Sequence, residues 1–348
     1  LSSPLSSSTE TETAPLLQVR DLVVTLPTER GRVAALRGLD LDLARGETLG
    51  LIGESGCGKS LTALALMGLL PHGAQVQGSI RLQGRELVGL AERDWCRLRG
   101  DRIGMVFQEP MTALNPLHPI ARQIAEPLRL HRGMSAAAAR ADALRLLERV
   151  QLPRARERLD AYPHELSGGQ RQRVVIAIAL ACGPELLIAD EPTTALDVTL
   201  QREVLALIEQ LVAESAMALL FISHDLALVA RTVQRLMVMY AGQVVEQGAT
   251  AEVFARLGHP YTRALMAARP QLGLARGTRL RTIPGKVPEL ADLPTAACAF
   301  AERCAHAVPA CRAGLPALQA LPGEGAAAVP RPHLARCVRV AEIKAAGS

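Results

Sequence analysis

Aromatic residues are nearly missing from this 348-residue sequence: one Trp, three Tyr and four Phe amount to 2% of it. The core therefore has to be packed from Leu, Val, Ile and Ala, and the 49% apolar content is enough for a sizeable one. Lysine is scarcer still, with only Lys59, Lys286 and Lys344, so that Arg supplies 36 of the 39 basic residues. A Lys retained in so Arg-biased a chain points to a specific need. The sequence also lacks any run of about 18 uncharged apolar residues, and the apolar stretch at 174–182 is too short to cross a bilayer. Any membrane role is then peripheral. The net charge of +5 is scattered, and no basic block gathers with aromatics, which argues against a nucleic-acid partner. Residues 1–15 are Ser, Thr, Glu and Pro without a basic start or an apolar middle. They read as a disordered leader of a chain that stays in the cytoplasm, not as a signal peptide.

What is present is a strand and helix alternation. Short β-type runs at 17–24 and 39–43 precede the apolar Leu49-Gly50-Leu51-Ile52, which suits a buried strand and leads into a Gly-rich turn. A helix follows at 60–70, closed by Pro71 and Gly73, then a strand at 79–83. Residues 91–166 read as a mostly helical insertion, rich in Ala, Arg and Leu at helical spacing. Beyond it come a helix at 172–182, strands at 186–189 and 218–222 around a helix at 198–214, and a closing pair of strands within 236–245. This order predicts a largely parallel sheet wrapped by helices. Past Gly273 the texture turns to Pro, Gly, Ala and Cys, and no internal repeat occurs.

Gly53-Glu54-Ser55-Gly56-Cys57-Gly58-Lys59-Ser60, followed by Leu61, fits the phosphate-binding loop in the strand-to-helix setting that the pattern requires. The glycines let backbone N–H groups converge on phosphate oxygens at the positive end of a helix. Lys59 then reaches the β- and γ-phosphates, and Ser60 offers its hydroxyl to Mg²⁺. Downstream, Leu186-Leu187-Ile188-Ala189-Asp190-Glu191 is an apolar strand ending in two carboxylates. Asp190 suits the Mg²⁺ shell, and Glu191 suits the orientation and deprotonation of a water.

Leu166-Ser167-Gly168-Gly169-Gln170 at the head of a helix sets this chain apart from other phosphate-loop ATPases, and here the sequence resembles the ABC ATPase family. The resemblance runs from about Leu17 to Glu252. It extends to Gln108 as the Q-loop residue, Ala195-Leu196-Asp197 as the D-loop and His224 as the switch histidine. It implies an α/β fold, a P-loop NTPase nucleotide-binding domain with a RecA-like core, an antiparallel β subdomain and a helical subdomain. It further implies that Gln108 senses Mg²⁺ or the water, that His224 contacts the γ-phosphate, and that Asp197 orders a dimer interface. Ser167, Gly168, Gly169 and Gln170 would bind the ATP held by an opposite subunit, so that two ATP molecules are sandwiched between two chains. One departure is visible: the family places an aromatic residue before the phosphate loop to stack on adenine, and the equivalent here is Leu26.

The C-terminal part resembles the extension of dipeptide and oligopeptide importer ATPases, a branch that includes nickel and metal-opine importers. The residues that carry this are His259-Pro260-Tyr261-Thr262-Arg263-Ala264-Leu265, Ile283-Pro284-Gly285, Val287-Pro288, and Cys298, Cys304, Cys311 and Cys337. The implied organisation is a leader at 1–15, an ATPase domain at 16–275 with its helical subdomain at about 91–166, and a small Cys-containing extension at 276–348. The implied partners are a second, homologous ATPase subunit in a heterodimer, two transmembrane permease subunits and an extracytoplasmic substrate-binding protein, at the cytoplasmic face of the inner membrane. In a cytoplasmic chain four clustered Cys favour metal over disulfides. The resemblance points to a [4Fe–4S] cluster in a structural or interface role. Zinc, with His333 as a substitute ligand, and unliganded thiols are the other two readings. A soluble ABC-type ATPase of iron–sulfur assembly or nucleic-acid handling is the competing function. The single compact cassette, without a long coiled coil between Lys59 and Asp190, argues against it.

Overall fold

The computed structural model describes residues 15–108, 113–194, 196–269, 282–294, 296–321 and 332–342. Ala195, the segment Glu109-Pro110-Met111-Thr112 of the Q-loop, the leader up to residue 14 and the expected boundary at 275 lie outside the described residues.

Strand β3 (Thr48–Ile52) is buried along Leu49, Gly50, Leu51 and Ile52, with no polar face, which requires a sheet covered on both sides. It sits inside an eight-stranded sheet. From one edge, this sheet runs β11 (Gln319–Ala320), β12 (Leu334–Ala335), β10 (Gln243–Ala249), β9 (Arg235–Tyr240), β3, β8 (Ala218–Ile222), β7 (Leu186–Asp190), β6 (Ile103–Val106). The strands from β9 through β6 pair in parallel, while β10, β12 and β11 are antiparallel additions. A second, antiparallel sheet has the order β2 (Gly31–Leu43), β1 (Leu17–Thr28), β4 (Gln75–Leu82), β5 (Arg85–Glu86). Its first hairpin continues well past the apolar runs at 17–24 and 39–43, because its far end is exposed and carries no alternation to read.

Helices α1 (Lys59–Leu66), α2 (Glu92–Leu98), α3 (Ile120–Arg132), α4 (Ala136–Arg149), α5 (Ala155–Arg158) and α6 (Gly168–Leu180) occupy the first half of the chain. After them come α7 (Val198–Ser215), α8 (Leu226–Thr232), α9 (Thr250–Arg256), α10 (Pro260–Ala267) and the short α11 (Ala310–Ala313). In α4, Ala139, Ala143 and Leu147 are buried at four-residue spacing, and the two alanines let α3 pack close. Ser135 caps its start by accepting from the Ala138 amide. The expected helical insertion at 91–166 needs correction: β6 lies within it and forms the edge of the central sheet. Four consecutive buried residues are too few to show a period between two helical stretches.

The C-terminal extension is not a loose appendage, since β11 and β12 lengthen the central sheet. The join is polar and buried. The Glu246 carboxylate, fully enclosed, accepts from the amides of Gly258 (2.6 Å) and His259 (2.8 Å) and lies 2.7 Å from Nε2 of His333. Such a carboxylate is tolerated inside the protein because every partner is in place. Beside it, three of the few aromatics gather: Tyr240 from β9, Tyr261 from α10 and Phe300 from the extension, with ring centroids 4.7 to 5.3 Å apart.

His259 caps α10 through Nδ1, which accepts from the Tyr261 amide at 3.1 Å. That role needs a neutral ring. Burial lowers its pKa from 6.5 to about 4, against the opposing pull of Glu246. Because the unfolded chain takes up the proton first, the stability this ring contributes is complete above pH 6.5 and is lost as the pH falls through about 4. Its size is about 3 kcal/mol. His259→Asn keeps a capping oxygen without a titration in this range. The predicted result is a shallower fall in melting temperature between pH 6.5 and 4 than the unsubstituted chain shows. Equal slopes for the two proteins would contradict the assignment.

Candidate nucleotide site

Strand β3 delivers the chain into residues 53–58, and α1 begins at Lys59. Gly53 has φ +153°, and a Cβ there would stand 2.3 Å from the Met239 carbonyl oxygen, so no other residue fits without moving β9. Gly58 takes the left-handed conformation at the cap of α1, with φ +107°. The loop closes around Lys59, whose buried ammonium donates to the carbonyls of Gly53 (2.8 Å) and Glu54 (3.1 Å). Cys57 is buried under the loop, and burial raises its thiol pKa. Its role is packing.

Strand β7 brings Asp190 to the same place, 5% exposed. Burial raises its pKa, while a hydrogen bond from Ser60 and the charge of Lys59 oppose the rise. Its Oδ1 is enclosed without a hydrogen-bond partner. A buried carboxylate oxygen left over beside a serine hydroxyl suits a small hard cation.

Glu191, the next residue, has left-handed backbone with φ +47°, a conformation that costs roughly 1 kcal/mol or more in a residue with a side chain. Three groups converge on its Oε2: Gln108 Nε2 at 3.2 Å, Thr194 Oγ1 at 2.9 Å and His224 Nδ1 at 3.1 Å. They come from the ends of different strands, Gln108 just after β6 and His224 just after β8. Thr194 was missed in the sequence because a second Thr after Pro carries no signal of its own.

These elements surround a pocket of about 260 Å³ lined by Leu26, Ala35, Ser55, Gly56, Gly58 to Leu61, Gln108, Glu191 and Leu290. Leu26 is on the wall as the sequence placed it, without an aromatic neighbour there. Leu290 reaches the pocket from the extension, and the sequence offered no sign of it. A larger cavity, about 590 Å³, lies between α3 and α4, away from every one of these groups. Size does not locate the chemistry here.

Ser167 to Gln170 and Asp197 are not brought to this pocket. Ser167 caps α6 in a reciprocal box with Gln170, at 3.4 and 3.1 Å; Ser167 and Gly168 are exposed while Gly169 is buried. Asp197 caps α7 by accepting from the amides of Thr199 and Leu200.

Two groups of the loop are tied to the far end of the chain. The Glu54 amide donates to Tyr261 Oη at 2.7 Å, and its carboxylate takes both terminal nitrogens of Arg303, at 2.7 and 3.0 Å. Arg303 precedes Cys304, and Cys298, Cys304, Cys311 and Cys337 line one small pocket with His259, Phe300 and His306. All four are free thiols. Burial, reinforced by the other three cysteines, pushes Cys298 up to about 11, and burial raises Cys304 and Cys337 as well. The backbone amides of His306 and Arg339 point at the sulfurs of Cys304 and Cys337, both at 3.4 Å. Among the described residues no three His, Cys, Asp or Glu side chains form a closed metal cage. The four sulfurs share a pocket without the spacing of a finished ligand set.

The comparisons fit this geometry. The family described as ABC transporter matches residues 36–194, and the oligopeptide/dipeptide transporter C-terminal region matches 245–311. The chain is 49% identical to a Brucella melitensis protein over 95% of this chain and 99% of that one. It is 47% identical to the oligopeptide transport ATP-binding protein OppD of Escherichia coli, over 90% and 95% of the two chains. Among solved structures, the ATP-binding cassette MJ0796, a dimer bound to ADP and Pi, aligns with TM-score 0.60 and 28% identity over 67% of this chain and 98% of that one. With near-complete coverage at this identity, and a phosphate loop, an acidic strand end and a converging Gln and His at one pocket, the chain belongs to the ABC transporter family, as an ATPase that carries the oligopeptide/dipeptide transporter C-terminal region.

Proposed function

We propose that the chain hydrolyses ATP at this pocket to drive import of di- or oligopeptides, working on the cytoplasmic face of the membrane with permease subunits and a substrate-binding protein. The convergence of Gln108, Thr194 and His224 on the Glu191 carboxylate, across the pocket from Lys59 and Ser60, carries this reading. Loop amides and Lys59 bind the phosphates. Glu191, oriented by its three neighbours, takes a proton from the attacking water, and His224 stands beside it to contact the γ-phosphate. Ser60 and Asp190 are the pair that would hold Mg²⁺, which when bound neutralises phosphate charge; Gln108 lies beside that shell. Leu26, with Ala35 and Leu290, gives the base an apolar wall without a stacking ring. The cargo reading follows the relatives named for oligopeptide transport and the matching C-terminal region.

The exposed Ser167 and Gly168 and the capping Asp197 fit a second cassette. Ser167 at the start of α6 lies outside the chain's own pocket, and a helix N-terminus there suits the phosphate of an ATP held by a homologous partner subunit. No described helix is long and apolar enough to cross a membrane, so the membrane-spanning work falls to partners. The shared pocket of Cys298, Cys304, Cys311 and Cys337 supports a [4Fe–4S] cluster, since four thiols without a paired disulfide suit that centre.

Glu191→Gln keeps the size and loses the proton acceptor, so ATP hydrolysis should fall by two orders of magnitude or more, roughly, while ATP binding persists. Lys59→Ala should instead weaken binding, by about 1.5 to 3 kcal/mol or one to two orders of magnitude in Kd. Equilibrium binding beside steady-state hydrolysis separates the two. Hydrolysis at the unsubstituted rate in the Glu191 variant would sink its role as base. Chain purified without oxygen should carry about four irons. Iron-free preparations holding one zinc would replace the cluster with the zinc reading.

A further inference from the structure

The Glu54 carboxylate is in an awkward place for a chain that binds a triphosphate. It sits one residue after Gly53, on the loop whose carbonyl oxygens hold Lys59. A negative charge there repels phosphate, and an unpaired one can draw the Lys59 ammonium away from it. In the fold it does neither, because Arg303 takes it in a two-pronged grip at 2.7 and 3.0 Å.

Arg303 is itself held from every side. Its Nε donates to the Pro284 carbonyl at 2.8 Å, Nη1 lies 3.4 Å from Tyr240 Oη, and the guanidinium stands 5.8 and 6.0 Å from the rings of Tyr240 and Phe300. Its side chain is 5% exposed. The turn that carries it lies between Cys298 and Cys304 and is closed by the bond from the Arg303 amide to the Phe300 carbonyl. A planar fork fixed in this way selects one orientation of the carboxylate, which a lysine cannot do.

We propose that Arg303 is a positioning residue of the nucleotide site, by which the cysteine-bearing extension neutralises Glu54 and turns it away from the phosphates. The inference rests on the reading of residues 53–60 as the phosphate-binding loop. It makes the extension a working part of that loop, beyond any role in binding a partner or a cluster.

The test uses the full chain, with trinitrophenyl-ATP binding followed by fluorescence and the melting temperature recorded for each variant. Arg303→Ala should raise Kd roughly tenfold, with Arg303→Lys between it and the unsubstituted chain. Adding Glu54→Gln to Arg303→Ala removes the stranded charge and should return Kd to within about twofold of Glu54→Gln alone. A merely structural Arg303 would not be rescued in this way, since the second change restores none of the contacts of the extension. The proposal is overturned if Arg303→Ala binds as tightly as the unsubstituted chain while Lys59→Ala has lost affinity. It is equally overturned if the double variant stays as weak as Arg303→Ala. Unchanged affinity in Lys59→Ala would instead remove the phosphate-loop reading on which the inference stands.

Discussion

The nucleotide site depends on one steric constraint, the absence of room at Gly53. With the Met239 carbonyl 2.3 Å from where a Cβ would stand, the chain leaving β3 has to pass against β9 before it turns into α1. That passage sets the direction of everything after it. The carbonyls of Gly53 and Glu54 face inward to Lys59, while the Glu54 side chain is sent outward, towards Arg303. Tyr261 secures the same residue from below through its amide. The loop is thus held by the sheet on one side and by the C-terminal part of the chain on the other.

What the sequence made legible was contiguous. A phosphate loop between an apolar strand and a helix, or two acids ending a buried strand, are local patterns whose chemistry follows from spacing alone. Glu191 was readable at the end of an apolar strand, whereas Gln108 and His224 came from the family resemblance; the structure adds that all three follow strands of one parallel sheet, whose ends meet at one edge. Leu290, Thr194 and the Arg303 to Glu54 pair were not readable. The last joins residues 249 positions apart, and an Arg between two cysteines looks the same whether it faces solvent or a phosphate loop. Strands β11 and β12 were missed for a related reason, being two residues each and defined only by their pairing to β10. The sequence reading gave the extension a structural or interface role, whereas packing brings Leu290 to the wall of the pocket.

Aromatic scarcity acquires a meaning in this light. In a chain with eight aromatic residues, three meet at the single place where β9, α10 and the extension come together, directly under Glu54. At the joint their area and edge-to-face contacts hold separate segments together, while Phe221 and Trp95 are buried elsewhere in an otherwise mostly aliphatic core. The buried Glu246 with the His259 amide and His333 adds a polar fastening a few residues away. The cysteine pocket of the extension lies beside this joint, with His259 and Phe300 in both.

The central claim is that core and extension form one nucleotide site. Amide hydrogen exchange of the full chain, measured with and without a non-hydrolysable ATP analogue and Mg²⁺, tests it most directly. The account predicts that nucleotide slows exchange in the phosphate loop at residues 53–60 and, in the same experiment, in the turn at residues 299–304. Protection confined to the loop, with the turn exchanging at its original rate, would contradict it.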